Sequence, residues 1–290
     1  MLFRSVNWLP HGPSADWQAL AVSRDGARMA VAGIGTQIQV SADHGTTWSA
    51  AGPVAEWLSL AASGDGQRLM AGQSQAAGGL LYVSNDGGAH WQALTVPGQP
   101  ARDWMGVALS ADGSRILAVT PSIGLFVSND GGSTWSRTLN TGSWTAAAMS
   151  ADGGLMAATA NNGQIYTSSD GGLNWLAHDS ARQWSSVAVA ADGSRLVAAE
   201  YGGQVYTSTD RGASWAPQLP VANWRSVALS ADGSVLLAAS PGYGVYVSRN
   251  GGASWVLQGG STLAWTAVGL SADNTLLAAA VSHGQIYTAP

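Results

Sequence analysis

Apolar and polar positions along this chain alternate in short bursts rather than in helical stripes. A representative stretch runs "WRSVALS" (224–230), "ADG", "SVLLAAS" (234–240), a glycine-containing loop, "GVYVS" (244–248), a second turn, then "ASWVLQ" (253–258). Short β-prone runs bounded by Gly, Asp, Asn and Ser predict four strands joined by tight turns. No segment carries the 3.6-residue period of an amphipathic helix.

This unit recurs. Tryptophans 17, 57, 104, 144, 184, 224 and 265 each open a copy, at spacings of 40, 47, 40, 40, 40 and 41 residues. A second series, tryptophans 8, 48, 91, 135, 175, 215 and 255, precedes the first by 9 to 13 residues and accounts for the rest of the 14. A period of about 40–45 with four strands per copy is the mark of propeller blades, which arranged radially leave only short, protected edges. First-strand positions are small on one side (Ala19, Ser59, Gly106, Ala146) and larger on the other (Leu20, Leu60, Val107), as suits sheets packed on both faces. The reading is all-β: one seven-bladed propeller over 1–290, with antiparallel blades opening near 17, 57, 104, 144, 184, 224 and 265. The last copy stops after "GQIYTAP", its third strand, while "MLFRSVNW" supplies the missing fourth-strand tryptophan. Residues 1–8 are therefore expected to latch the seventh blade and close the ring.

The third turn carries a motif: "SADHGTTW" from Ser41, "SNDGGAHW" from Ser84, "SNDGGSTW" from Ser128, "SSDGGLNW" from Ser168, "STDRGASW" from Ser208 and "SRNGGASW" from Ser248. Short Ser and Asp side chains bond nearby backbone N–H groups, Gly takes a positive φ, and Trp buries its ring. With Asn250 replacing the aspartate in the sixth copy, the series resembles the Asp-box, or BNR repeat, S-x-D-x-G-x-x-W, and the resemblance covers the whole chain. Asp-box propellers include sialidases, xyloglucanases, sorting receptors and a photosystem II assembly factor, so the resemblance implies a fold and leaves function to the site. In the sialidases the boxes lie at the blade periphery, which implies a structural role here.

Composition removes several chemistries. There is no cysteine, which excludes disulfides, thiol nucleophiles and Cys-ligated zinc. All 12 basic residues are arginine, which excludes a Schiff-base lysine or a phosphate-loop lysine. A net charge of −5 without a basic run argues against a nucleic-acid partner. No apolar run reaches the ~20 residues of a membrane span. The opening residues have no signal-peptide layout, which fits a cytoplasmic protein or a secreted one whose leader has been removed. A monomer is expected.

Subtracting the repeat isolates candidate chemistry. Of 15 aspartates, seven sit in the first turns and five in the boxes, leaving Asp16, Asp103 and Asp179; the only glutamates are Glu56 and Glu200. All five fall in loops between blades or between strands two and three, which in a meander emerge on one face. His11, His178, His283, Arg102, Arg182, Tyr201 and Tyr243 are assigned to the same face, with Arg225 beside it. Aligning the copies by eye sets Glu200-Tyr201 where others carry Asn161-Asn162 or Ser282-His283. Asp16, Glu56 and Asp103 each precede a first-strand tryptophan in consecutive blades, whereas the corresponding residues of later blades are Ser143, Gln183, Asn223 and Ala264. One sector of the channel mouth is thus expected to be acidic. The second blade also carries the two long insertions, around 73–79 and 95–103.

Two readings follow. The first is a binding or interaction propeller that recognises a glycan or protein on the loop face, through Arg102, Arg182, Arg225, His11, His178, His283, Tyr243 and the tryptophans Trp17, Trp57 and Trp104. The alternative is a hydrolase or lyase of glycosidase type, with catalytic candidates Glu200, Tyr201, Glu56, Asp16 and Asp103, because paired carboxylates flanking a bond are the minimum for glycoside cleavage. The arginine triad and Tyr–Glu nucleophile that a sialidase resemblance would imply have no supporting motif here. No cofactor is expected. Asp16, Glu56 and Asp103 are the candidates for a Ca²⁺ site, should one exist, and His11 with His283 lacks the third ligand of a zinc site.

Overall fold

The computed structural model describes residues 7–98, 102–121, 123–140, 142–258, 260 and 262–290. Its strands form a β-propeller. The second blade shows the plan: Trp57–Ala62, Leu69–Gln73, Leu81–Ser84 and Gln92–Leu94 pair in chain order as an antiparallel meander. The third blade (Gly106–Leu109 to Ser136–Leu139) and the sixth (Ser226–Leu229 to Val256–Leu257) repeat it as separate four-stranded sheets. Elsewhere a long strand serves two blades. Leu176–Val189 ends the fourth blade and opens the fifth, pairing first with Met156–Ser168 and then with Leu196–Gly203.

Leu9–Val22 does the same at the closure. Leu9, Pro10, His11 and Ala15 face Thr288, Tyr287, Ile286 and Gly284, after which Asp16 to Val22 pair with the second strand of the first blade. The N-terminal segment therefore completes the seventh blade, as the repeat arithmetic requires. The pairing begins at Leu9, and Met1 to Val6 of the expected latch lie outside the described residues.

The core lies between blades rather than within them. Ala30, Ala32 and Ile38 of the first blade, for example, pack on Trp57, Leu60, Leu69 and Ala71 of the second. The first-strand tryptophans are the largest buried groups, at 0–2 % exposure. Most meet a third-strand ring edge-on, as in Trp57 with Tyr82 (5.3 Å) and Trp104 with Phe126 (5.5 Å). At this depth the rings hold blades apart at a fixed spacing.

On the face opposite the loops, backbone hydrogen bonds link successive blades around the channel. Arg24 N–H donates to Gly64 O (2.8 Å), Gly64 to Ala111 (2.8 Å), Ala111 to Ala151 (2.7 Å), Ala151 to Ala191 (2.9 Å), Ala191 to Ala231 (2.9 Å), and Ala272 to Arg24 (2.7 Å). Small residues are needed because the chains approach closely around the channel. The boxes lie on this same side of each blade. In the first, Ser41 Oγ donates to Asp43 Oδ1 (2.8 Å), Gly45 and Thr47 N–H groups donate to Ser41 Oγ and Asp43 Oδ1, and Trp48 Nε1 donates to Gly45 O (2.8 Å). Asn250 reproduces the arrangement in the sixth blade, accepting from Ser248 Oγ (3.0 Å) and Ser254 N–H (2.9 Å). Arginines outside the candidate set act as inter-blade ties: Arg68 reaches Gly131 O, Arg115 reaches Gly153 O and Arg195 reaches Gly251 O.

The pairing register also revises one alignment between copies. Trp184 faces Glu200, Trp144 faces Ala160, and Trp265 faces Val281. Glu200-Tyr201 therefore corresponds to Ala160-Asn161 and Val281-Ser282, one residue earlier than the repeat suggests by eye. The next position is the turn residue, with positive φ at Asn162 (53°), Gly202 (71°) and His283 (55°). Among the described residues no helix is long and apolar enough to cross a membrane.

Candidate functional site

Burial removes Trp17, Trp57 and Trp104 from the set of ligand-binding residues. Their rings are wedged between blades, and Trp57 and Trp104 donate their indole N–H groups to Thr36 O (3.0 Å) and Gly79 O (3.0 Å) of the preceding blade. A ring with no free face cannot stack on a sugar.

Each carboxylate of the acidic arc is engaged by nearby hydrogen-bond donors. Glu56 accepts from Ser74 Oγ (2.7 Å), and Asp103 accepts from the Gln75 N–H (2.6 Å). Ser74 caps the 3₁₀ turn Gln75–Ala77, so both carboxylates anchor the second-blade insertion. Asp16 accepts from Gln18 Nε2 (2.9 Å) and Ser282 Oγ (2.6 Å), with His283 at 3.9 Å, and so ties the closing blade. Among the described residues no group of three His, Cys, Asp or Glu side chains is placed to hold a metal, at Asp16, Glu56 and Asp103 or elsewhere. His11 stands in the closure ladder opposite Ile286, apart from the Asp16–Ser282 contacts of His283. Arg102 is half-buried beside the insertion, its backbone N–H on Gly79 O (3.2 Å).

His178 is not on the loop face. It lies within an outer strand opposite Ile165, its Nε2 2.7 Å from Thr167 Oγ1. Burial pushes its pKa below the ordinary imidazole value, with Asp210 partly opposing the shift.

The Glu200 carboxylate has two side-chain partners, Tyr206 and Arg182. Its Oε2 accepts from Tyr206 Oη (3.1 Å) and lies 3.6 Å from Arg182 Nη1, while Arg182 Nε lies 3.6 Å from Asp179 Oδ2. The Arg182 guanidinium sits over the Tyr206 ring at 4.7 Å. Burial, followed by the Glu200 bond, raises the Tyr206 pKa, the direction opposite to phenolate activation. A Cβ on Gly203 would fall inside the Glu200 carboxyl group, so glycine there is a condition for the arrangement. Glu200 thus ties the inter-blade loop carrying Arg182 to its own blade.

Its neighbour Tyr201 behaves differently. It is 43 % exposed and borders a cavity of ≈ 250 Å³ with Met105, Thr145, Asn161, Gln183, Trp184, Ser185 and Arg225. Met105, Thr145, Ser185 and Arg225 also line the upper channel, a chamber of ≈ 240 Å³ walled by all seven first strands. The residue after each first-strand tryptophan faces this channel. At three such positions a hydroxyl stitches one blade to the next: Thr145 to Trp184 O (2.8 Å), Ser185 to Trp224 O (2.8 Å) and Thr266 to Trp17 O (2.7 Å). The sixth blade has Arg225 there. Its side chain is exposed and makes no hydrogen bond or ion pair among the described residues. Close by, Val221 is 67 % exposed, and Tyr243 is 37 % exposed while stacked on Tyr246 (5.8 Å) and edge-on to Trp224 (5.8 Å).

The accessible chemistry therefore lies over blades four to six, on the side read as neutral, and not over the elaborated second blade. It offers one uncompensated cation, amide and hydroxyl hydrogen-bonding groups, and two exposed phenol rings. None of the residues around either chamber is a carboxylate. Asn161, Gln183, Thr145, Ser185 and Met105 escape the subtraction because it retains only charged and aromatic side chains and histidines. A signal existed in the residue after each first-strand tryptophan, where Gln, Leu, Met, Thr, Ser, Arg and Thr show that the position faces open space. A larger depression of ≈ 700 Å³ at the opposite mouth is bordered by Arg24, Asp25, Asp65 and Asp273 over alanines. Those aspartates are already bonded to their turn serines.

No protein-family model matches the chain, and no curated protein matches it in sequence. Solved structures do resemble it. YCF48 from Cyanidioschyzon merolae has 15 % identity and a TM-score of 0.74, over 99 % of this chain and 98 % of that one. YCF48 bound to D1 peptide has 15 % identity and a TM-score of 0.75, over 100 % and 97 %. The GH74 enzyme of Niastella koreensis has 15 % identity and a TM-score of 0.78, over 98 % of this chain and 53 % of that enzyme, so the chain spans about half its length. The chain has the propeller fold that these proteins share.

Proposed function

We propose that this chain is an interaction propeller that recognises a protein segment on its loop face, at the channel mouth bounded by blades four to six. The observation that carries the reading is Arg225, an exposed, unpaired guanidinium set where two chambers meet and where sister blades carry stitching hydroxyls or neutral side chains. An unpaired Arg selects for a carboxylate, which it engages bidentately. Tyr201 lines the same cavity and supplies apolar contact, Tyr243 packs on the adjoining Trp224, and aromatic residues with Arg are the side chains enriched at binding hot spots. The partner segment is therefore acidic at the point of contact. YCF48, a protein of the same fold, has been solved bound to D1 peptide, which supports the peptide reading by fold analogy.

The alternative hydrolase reading draws on the GH74 likeness. It needs two carboxylates astride a bond, and Glu200, Glu56, Asp103 and Asp16 each hold structural partners.

The test is binding of an acidic and a charge-reversed peptide library to wild type and Arg225→Gln, with a β-glucan panel assayed in parallel for reducing-sugar release. Acidic peptides should bind and weaken roughly ten- to hundredfold in the variant, the cost of a lost charge-assisted bond. They should also weaken with added salt, because the contact is solvent-exposed. Equal binding of both libraries overturns the reading, and sugar release by wild type would establish the hydrolase instead.

A further inference from the structure

We infer that Asn162 is a site of spontaneous covalent modification, intramolecular deamidation, on the rim of the candidate site. Two Asn-Gly steps occur in the chain, Asn162-Gly163 and Asn250-Gly251, and the structure gives them opposite surroundings. Glycine on the C-terminal side leaves the amide nitrogen sterically open to attack on the asparagine side chain.

Asn250 is locked. Its Oδ1 accepts from Ser248 Oγ (3.0 Å) and Ser254 N–H (2.9 Å), and its Nδ2 donates to Ser254 Oγ (2.8 Å). Turning its side chain toward the Gly251 nitrogen breaks all three bonds. Asn162 is exposed, sits at φ 53°, and its side chain makes no hydrogen bond among the described residues. The strand register skips it between Asn161 and Gly163, so it bulges off the ladder to Arg182 and Gln183.

The step balances with water as co-reactant. The Gly163 amide nitrogen attacks the Asn162 side-chain carbonyl carbon, its proton leaves with the amide nitrogen as ammonia, and a cyclic imide forms. Water then opens the imide at either carbonyl, leaving aspartate or isoaspartate. The product carries a new negative charge one residue from Asn161, which lines the cavity that holds Arg225.

The experiment ages the full chain in mildly alkaline buffer and follows each Asn-Gly peptide by mass, with isoaspartate quantified and charge variants separated by ion exchange. Asn162 is expected to convert, with Asn250 on the order of a hundredfold slower, the factor carried by its three side-chain bonds. The second arm is Asn162→His, which the seventh blade shows to be compatible with this turn because His283 holds the matching position at φ 55°. The variant should keep the wild-type melting temperature and lose the early acidic species. Conversion at Asn250 as fast as at Asn162 overturns the inference, as does an intact Asn162 in aged protein or persistence of the acidic species in Asn162→His.

Discussion

Replacing Trp57 by alanine separates a scaffold role from a ligand role for the first-strand tryptophans. Trp57 is fully buried, edge-on to Tyr82 at 5.3 Å, and donates to Thr36 O at 3.0 Å. A buried aromatic side chain removes about 150–250 Å² from water, which at about 25 cal/mol per Å² amounts to about 4–6 kcal/mol. The hydrogen bond and the ring contact add about 1 kcal/mol each. Partial collapse of the cavity and the retained Cβ return part of that sum, and large-to-small changes at buried tryptophan typically cost about 3–5 kcal/mol. At about 2 °C per kcal/mol for a chain of this size, Trp57→Ala should lower the melting midpoint by about 6–10 °C. Scanning calorimetry with far-UV circular dichroism reads the shift, and peptide titration well below the new midpoint reads binding. Arg225→Gln should show the reverse pattern, with binding lost and the midpoint kept, since its side chain has no partner to lose. If Trp57→Ala keeps its midpoint within about 2 °C, below the cost of even one lost hydrogen bond and ring contact, and loses ligand, the assignment of these rings to the core is wrong.

Two further expectations concern Glu200 and the acid limb of stability. Glu200→Gln keeps an acceptor for Tyr206 but removes the charge facing Arg182, so it should lower the midpoint modestly and leave the β spectrum intact. Gly203→Ala, whose new methyl would occupy the carboxyl position, should destabilise wild type more than it destabilises Glu200→Ala; equal effects in a double-mutant cycle would show that the two residues do not meet. The box carboxylates Asp43, Asp130, Asp170 and Asp210 are held down to about 2 by hydroxyl and backbone N–H donors. Because the folded value lies below the ordinary 3.8, their contribution is complete above that pH and is lost as pH falls toward about 2. Melting midpoints should therefore hold steady down to about pH 5 and drop between about pH 4 and 2. A drop centred near pH 6 would point instead to histidine.

The chain by itself determined the architecture, because a propeller is built from local events repeated at a fixed interval. Each strand is a short β-prone run, each turn is closed by Ser, Asp and Gly within four residues of one another, and each copy brings its own inter-blade tryptophan. The unfinished last copy and the stray Trp8 likewise announced a closure, which the pairing of His11 with Ile286 realises. What the sequence could not decide is which non-repeating polar residues are free. Asp16, Glu56, Asp103 and Glu200 look available in the chain because their partners, Ser282, Ser74, Gln75 and Arg182, are distant in sequence or sit in unmatched loops. His178 falls outside the loop face because strand length and register, set by pairing with Ile165, determine where the loop begins. Arg225 shows the converse. One arginine after a tryptophan looks incidental, yet the ring brings it beside Tyr201, Asn161 and Gln183 from other blades, with no carboxylate among the residues lining that cavity. Availability is a property of the partners a side chain does not find, and only the closed ring fixes who those partners are.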